Sequence, residues 1–149
     1  MIEYTLIKNE QDNATGFDRE QIADFLFTHL DQYGDAKEYI LTCIGYAYGD
    51  NPGQDGHILL AYEDKSETIV GTVVINKTNM SGYIPENILV YIAVDSSQRG
   101  KGIGKQLMQR IIDQTEGDIA LHVEPENKAR LLYEKYGFTN KYLEYRLTR

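Results

Sequence analysis

The segment QRGKGIGK, at positions 98–105, combines the residue types that bind anions. Three glycines at alternate positions let the backbone turn sharply and approach a ligand closely, and three cations are interleaved with them. The glycines are Gly100, Gly102 and Gly104, and the cations are Arg99, Lys101 and Lys105. Because an amphipathic helix is expected to start here, its dipole and the free backbone N–H groups add to this charge. The segment therefore predicts a phosphate or pyrophosphate site, although an ordinary glycine-rich turn with surface lysines is the alternative interpretation.

Two common nucleotide-binding motifs do not fit this segment. A P-loop would require glycine at position 99 and serine or threonine at position 106, which are occupied by Arg99 and Gln106. A dinucleotide fingerprint would require glycine at position 107, where the sequence has Leu107. The phosphate is therefore expected to belong to another class of ligand.

The elements around this segment predict an α/β domain. Ile88 to Val94 is apolar on both faces, as expected of a central strand that is covered on each side. The other predicted strands are Ile2–Lys8, Ile58–Tyr62, Thr68–Asn76 with a bulge at Gly71, Ile119–Val123 and Tyr142–Leu147. The predicted helices are one that begins after Asp18 and those at Lys37–Tyr48, Gly102–Thr115 and Asn127–Tyr136. This order indicates a mixed sheet flanked by helices.

Two motifs together resemble the GNAT N-acetyltransferase superfamily. The acyl-CoA motif of that family, Arg/Gln-x-x-Gly-x-Gly/Ala after a central strand, is matched at positions 99–104. Its second motif, a helix of the form Ala-x-x-x-Tyr-x-x-x-Gly-Phe, is matched at positions 129–138, where Tyr133 is the tyrosine. Asn127 stands where the family often has an asparagine that binds pantetheine. The resemblance implies one domain over residues 1–149, with a mixed, mostly antiparallel sheet that is splayed at the central strand.

The resemblance also implies direct transfer of an acetyl group from acetyl-CoA to an amine. The pyrophosphate would lie on the backbone N–H groups of residues 99–104, which include Ile103, with Lys105 adjacent. The pantetheine arm would run beside Ile92, Ala93 and Val94. In the family a bulge in this strand directs a backbone N–H at the thioester oxygen, and the N–H of Ile92 or of Ala93 is the candidate here.

The reaction requires one group that protonates the departing thiolate and one that removes a proton from the amine. Tyr133 matches the general acid of the family, which protonates the departing thiolate, but helical spacing also fits it as a core aromatic residue. A base is harder to place, because Ile88 stands where some members have a glutamate. Glu86 is the candidate two residues earlier, Glu124 could act through water, and a relay of bulk water is an equal alternative.

Composition excludes several classes of protein. The 149 residues carry a formal charge of −8, which disfavours a nucleic-acid partner. The single Cys43 excludes an intramolecular disulfide, no cysteine–histidine cluster predicts a metal site, and no apolar run is long enough to span a membrane. No signal peptide is evident, and a cytoplasmic protein is the default expectation.

The distribution of charge indicates the acceptor. Residues 1–94 carry five basic and fifteen acidic side chains, whereas residues 95–149 carry ten and eight. The acidic residues near the predicted first helices are Asp31, Asp35, Glu38, Asp50 and Asp55, and tyrosines lie between them. These residues suit a cationic amine, a lysine or an N-terminal amine, although solvated acidic helices are the simpler interpretation.

Two other functions remain open from the sequence alone. A non-catalytic module that binds acyl-CoA would keep the glycine segment but would not need Tyr133. A purely structural domain would have to explain the glycine segment as coincidence. A homodimer formed by strand exchange is compatible with the short segment after Phe138, since many family members have two strands there.

Overall fold

The computed structural model describes all 149 residues and has one sheet with helices on both faces. The strands are β1 (Ile2–Ile7), β2 (Gly56–Glu63), β3 (Thr68–Lys77), β4 (Asn87–Val94) and β5 (Ile119–Ala120); the helices are α1 (Arg19–His29), α2 (Lys37–Ala47), α3 (Ile103–Asp113) and α4 (Ala129–Lys135). Strands β1 to β4 are antiparallel neighbours, and β5 pairs with β4 in parallel. The predicted α/β class with a mixed, mostly antiparallel sheet is confirmed.

Helices α1 and α2 cover one face of the sheet. Asp18 caps α1 through a capping box with Gln21, as its position in the sequence predicts. The buried residues of α1 and α2 pack on inward-facing residues of the central strands, including Ile58, Val74 and Tyr91. This core fixes the position of the segment that connects α1 with α2.

Helices α3 and α4 cover the opposite face. Ile103, Leu107 and Ile111 of α3 pack there, and Tyr133 of α4 joins the same core. A Cβ at Gly71 would lie 2.8 Å from Leu107 and 3.2 Å from Ile103, so glycine at this position lets α3 approach the sheet closely. The bulge predicted near Gly71 is confirmed, since the β2–β3 register shifts beside it.

The end of the chain differs from the sequence prediction. The predicted strand Ile119–Val123 is only two residues long, and the predicted final strand Tyr142–Leu147 is wrong, because residues 139–149 have no regular secondary structure. A strand requires a ladder of backbone partners, and a two-residue β5 offers very few. Alternating side chains alone therefore did not determine a strand here.

Candidate active site

The glycine segment contains a run of backbone N–H groups that have no hydrogen-bond partner within the chain. Gly100 and Gly102 have φ angles of +85° and +80°, which side-chain-bearing residues rarely adopt. No backbone N–H from Arg99 to Lys105 donates to an acceptor within the chain, and the first hydrogen bond of α3 runs from the Gln106 N–H to the Gly102 carbonyl. Seven consecutive N–H groups at the start of an 11-residue helix are therefore available to an anion.

The three cations of this segment differ in their partners. Arg99 donates a hydrogen bond to the His29 carbonyl and lies 3.8 Å from Asp31. Lys101 donates to the Gln98 side chain at 3.1 Å, whereas the exposed Lys105 ammonium has no ion pair in the chain. All three remain at the surface and can face a pyrophosphate.

One edge of β4 is open immediately before this segment. Strand β5 pairs only with Asn87 and Ile88, so from Leu89 to Val94 this edge has no strand neighbour. The Asp95 N–H donates to the Val70 carbonyl of β3 at 2.8 Å. Backbone groups alternate in direction along an antiparallel strand, which turns those of Ile92 and Val94 toward the open edge. The same alternation turns the Ala93 backbone toward β3.

A bulge lies within β4. The register against β3 pairs Tyr91 with Val74 and Leu89 with Ile75, which leaves Val90 as the extra residue. Val90 and Tyr91 consequently both face the α1–α2 core, whereas Ile92 faces α3. The bulge is two residues before the Ile92 N–H, and it directs consecutive side chains to one face of the sheet.

Tyr133 lies on the α3 face, as Ile92 does. It is 8% exposed and meets Phe138 edge to face with ring centroids 6.1 Å apart. Its hydroxyl donates to no group in the chain, and it is not among the polar atoms sealed from solvent without a partner. Burial raises the pKa of Tyr133, so the phenol is protonated at neutral pH and is a weaker acid than an exposed tyrosine. Both the core role and a proton-donor role are therefore compatible with its surroundings.

Asn127 stands at the entrance to α4. Its side-chain oxygen accepts a hydrogen bond from the Ala129 N–H at 2.9 Å, although the N-cap residue of α4 is Lys128 and not Asn127. Its side-chain nitrogen has no acceptor within the chain. The oriented amide can therefore donate to a carbonyl of a bound ligand.

Glu86 lies immediately before β4 and contacts the loop that precedes β5. Its carboxylate accepts a hydrogen bond from the Asp118 N–H at 2.9 Å and covers Gly117. Hydrogen bonding from the Asp118 backbone lowers the pKa of Glu86, whereas a base for an amine requires a higher one. Glu124 differs, because the neighbouring Glu126 carboxyl raises its pKa through hydrogen bonding and like charge.

The acidic residues of the first half divide into two groups. Asp31 lies near Arg99, Asp50 pairs with Arg19 at 2.7 Å, and Asp55 lies 3.6 Å from Lys77. Asp35 and Glu38 have no cationic partner in the chain. The negative charge near α1 and α2 is therefore only partly compensated, because residues 1–94 carry fifteen acidic side chains against five basic ones.

Sequence reasoning missed the partner of Asp35. The Tyr91 hydroxyl donates to the Asp35 carboxylate at 2.5 Å, although the residues are 56 positions apart. Within an apolar strand Tyr91 looks like an ordinary core residue, so no local signal could have revealed the pair.

The structure contains neither a cluster of metal-ligating side chains nor a helix that could span a membrane. No group of three or more His, Cys, Asp or Glu side chains is arranged to hold a metal ion. None of the helices has the length and apolar character that crossing a membrane would require.

Comparison with known proteins supports one family. Residues 54–140 match the family model of the acetyltransferase (GNAT) domain. No curated protein matches the sequence. The ribosomal-protein-alanine N-acetyltransferase from Brucella melitensis biovar Abortus 2308 is 18% identical, with a TM-score of 0.68 over 100% of this chain and 99% of that one. A chain of the NatC complex bound to Gag peptide and CoA is 24% identical, with a TM-score of 0.67 over 92% and 85% of the two chains. At these identities the two structures establish a shared fold.

Proposed function

The chain belongs to the GNAT acetyltransferase family, and on this basis we propose that it transfers an acetyl group from acetyl-CoA to a primary amine within a ternary complex. The observation that carries the proposal is the run of unpartnered N–H groups from Arg99 to Lys105, adjacent to an open strand edge. The acceptor is a small cationic amine, or the amine of a lysine or a protein N-terminus.

The chain would hold acetyl-CoA with backbone groups for the most part. The N–H groups of residues 99–105 would bind the pyrophosphate, assisted by the Arg99, Lys101 and Lys105 charges. The open backbone groups of Ile92 and Val94 would pair with the pantetheine arm as a strand would. The free amide nitrogen of Asn127 would donate to a carbonyl of that arm.

Catalysis would rest on two donors. Acetyl-CoA supplies the acetyl group as a thioester, which a neutral amine can attack. The Ile92 N–H would donate to the thioester carbonyl oxygen as it gains negative charge, a contribution of about 3 kcal/mol in comparable sites. The Tyr133 hydroxyl would protonate the departing sulfur, and it has no competing acceptor within the chain. Of the two N–H candidates, Ile92 is preferred to Ala93 because of the backbone alternation.

Removal of a proton from the acceptor would depend on solvent. Glu86 is left out of this role because of its depressed pKa and its bond to the Asp118 N–H. The exposed Glu124 would assist through water, since its raised pKa makes it the better acceptor of a proton.

The comparisons widen the range of acceptors to be tested. One structural neighbour is a ribosomal-protein-alanine N-acetyltransferase, and another is a complex bound to Gag peptide and CoA. Peptides with a free N-terminus therefore belong in the panel beside polyamines and aminoglycosides.

Three further features complete the proposal. Residues 1–149 would act as a single catalytic domain in the cytoplasm. The exposed apolar side chains of the final segment would support a homodimer; they are Tyr142, Leu143, Tyr145 and Leu147.

Release of free thiol from acetyl-CoA, followed with this amine panel, tests the function. Turnover that depends on an amine, with the acetylated product identified by mass spectrometry, supports it. Binding of acetyl-CoA without turnover of any amine would instead favour the non-catalytic binding module.

A further inference from the structure

Tyr91 and Asp35 connect the bulge of β4 to the segment between α1 and α2. Tyr91 is 7% exposed, and its hydroxyl donates to one carboxylate oxygen of Asp35 at 2.5 Å. Burial, and then the hydrogen bond to Asp35, raise the pKa of Tyr91, so the phenol remains a donor. The buried tyrosine consequently fixes the orientation of a carboxylate at the surface.

The Asp35 carboxylate keeps its charge unpaired. The residue is exposed, forms no ion pair and accepts no other hydrogen bond from a side chain or the backbone of the chain. Asp31, four residues earlier on the same connection, lies instead 3.8 Å from Arg99. Asp35 therefore combines a fixed orientation with a free second oxygen, and this oxygen can accept from a cation.

The position of this carboxylate relates it to the reaction. Tyr91 immediately precedes Ile92, whose N–H lies on the open edge of β4. The bulge turns the Tyr91 side chain to the α1–α2 face, whereas Ile92 and Tyr133 face α3. Asp35 therefore lies on the α1–α2 side of β4, the strand whose Ile92 N–H would donate to the thioester. The proposed acid, Tyr133, lies on the other side of this strand.

The chemistry of amine attack restricts what Asp35 can bind. The attacking nitrogen needs its lone pair, so it must be neutral when it reacts. A carboxylate beside that nitrogen would favour its ammonium form and would slow the reaction. The Tyr91 side chain separates the Asp35 carboxylate from the β4 backbone, so Asp35 is better suited to a different nitrogen of the same acceptor.

We propose that Asp35 binds a second cationic group of the acceptor, so that the enzyme selects diamines and longer polyamines over monoamines. The inference rests on the proposed acetyltransferase function and specifies its substrate class. Tyr91 is the positioning residue, because its hydroxyl holds the carboxylate in one orientation.

A matched pair of acceptors tests this selection. The kcat/KM values for 1,4-diaminobutane and butylamine are measured with saturating acetyl-CoA, and 1,6-diaminohexane and hexylamine repeat the comparison at greater length. The wild-type enzyme is expected to prefer each diamine about fivefold to tenfold. About twofold comes from the two equivalent amines of a diamine, and the rest from an exposed ion pair with Asp35, which contributes up to about fivefold, or about 1 kcal/mol. Asp35→Asn should reduce the preference to the statistical factor of about twofold by raising the KM for the diamine. The kcat for the monoamines and the KM for acetyl-CoA should be unchanged.

Two further variants separate a specific role from a structural one. Tyr91→Phe should weaken the diamine preference in KM while keeping the monoamine kcat. Glu3→Gln removes the same charge from an exposed, unpaired residue of β1, at the other edge of the sheet, and should keep the preference. Thermal unfolding checks that each variant is folded.

The outcomes distinguish this inference from the function on which it rests. A wild-type preference of about twofold or less, or a preference above about twofold that survives Asp35→Asn, overturns the role of Asp35 while acetyl transfer stands. If no amine is acetylated, the proposed function fails, and calorimetry with 1,4-diaminobutane and butylamine on the acetyl-CoA-bound protein still decides the inference. Tighter binding of the diamine that is lost in Asp35→Asn would support it, and equal binding would refute it.

Discussion

The Arg99 guanidinium donates a hydrogen bond of 3.3 Å to the carbonyl oxygen of His29, the last residue of α1. Arg99 also opens the run of free N–H groups, so one side chain joins the end of α1 to the proposed pyrophosphate site. A cation at a helix C-terminus is favourable, because the carbonyl groups there carry partial negative charge. Asp31, in the following turn, lies 3.8 Å from the same guanidinium. The hydrogen bond to His29 and the negative charge of Asp31 therefore both hold the Arg99 side chain at this junction.

Replacement of Arg99 by glutamine should weaken acetyl-CoA binding more than it weakens folding. We expect the Kd for acetyl-CoA to rise about threefold to tenfold, or about 0.7–1.4 kcal/mol, since the side chain is half exposed and shared with Asp31. The loss should shrink at high salt because exposed charges are screened. Titration calorimetry at two ionic strengths measures it, with Arg146→Gln on the final segment as control. An unchanged Kd at low salt would show that Arg99 does not contact the ligand.

Removal of the Tyr133 hydroxyl should slow the chemical step. Tyr133→Phe is expected to lower kcat about 100-fold, with little change in the KM for acetyl-CoA. Thermal stability should change little, because the hydroxyl has no partner in the chain and the ring contact with Phe138 is kept. Steady-state kinetics and thermal unfolding measure the two effects. Full kcat in the variant would remove Tyr133 from catalysis and leave it as a core aromatic residue.

Two glycines of the same segment should respond differently to alanine. Gly102 has a φ of +80°, and no atom lies within 4 Å of the position that a Cβ would take, so Gly102→Ala should cost about 1 kcal/mol through backbone strain alone. Gly104 has an ordinary helical position, and a Cβ there would make contacts of 3.7 Å with Leu132 and Val94. Gly104→Ala should therefore leave the free energy of unfolding unchanged or raise it by up to about 1 kcal/mol. Denaturant unfolding compares them; equal destabilisation would contradict this difference in backbone geometry.

The sequence was informative where local chemistry determines structure. The capping box of Asp18, the glycine segment and the bulge beside Gly71 depend on neighbouring residues, and each was predictable. The pairs Tyr91–Asp35 and Arg99–His29 join residues more than 50 positions apart, and only the folded chain brings them together. The predicted last strand failed for a related reason, since an alternating pattern does not supply a neighbouring strand.

Deletion of residues 141–149 should test self-association. Four large side chains of this segment are between 74% and 89% exposed, which is unfavourable for a monomer in water. We expect the full chain to show a concentration-dependent increase in mass by light scattering, and the deletion variant to remain monomeric. Replacement of Leu143 and Leu147 by serine is a milder variant with the same expected result. A full chain that stays monomeric at high concentration would exclude the homodimer.

The buried His57 should make the fold sensitive to acid. Its ring accepts or donates a hydrogen bond of 2.8 Å with the Thr115 hydroxyl, and burial lowers the pKa of His57 to about 4. The unfolded chain takes up this proton near pH 6.5, the ordinary value, whereas the folded chain does so only near pH 4. The free energy of unfolding should therefore be fully retained above about pH 6.5 and should fall between about pH 6.5 and pH 4. Denaturant unfolding across this range measures the slope, and His57→Gln should flatten it. The same slope in the variant would assign the acid sensitivity to other groups.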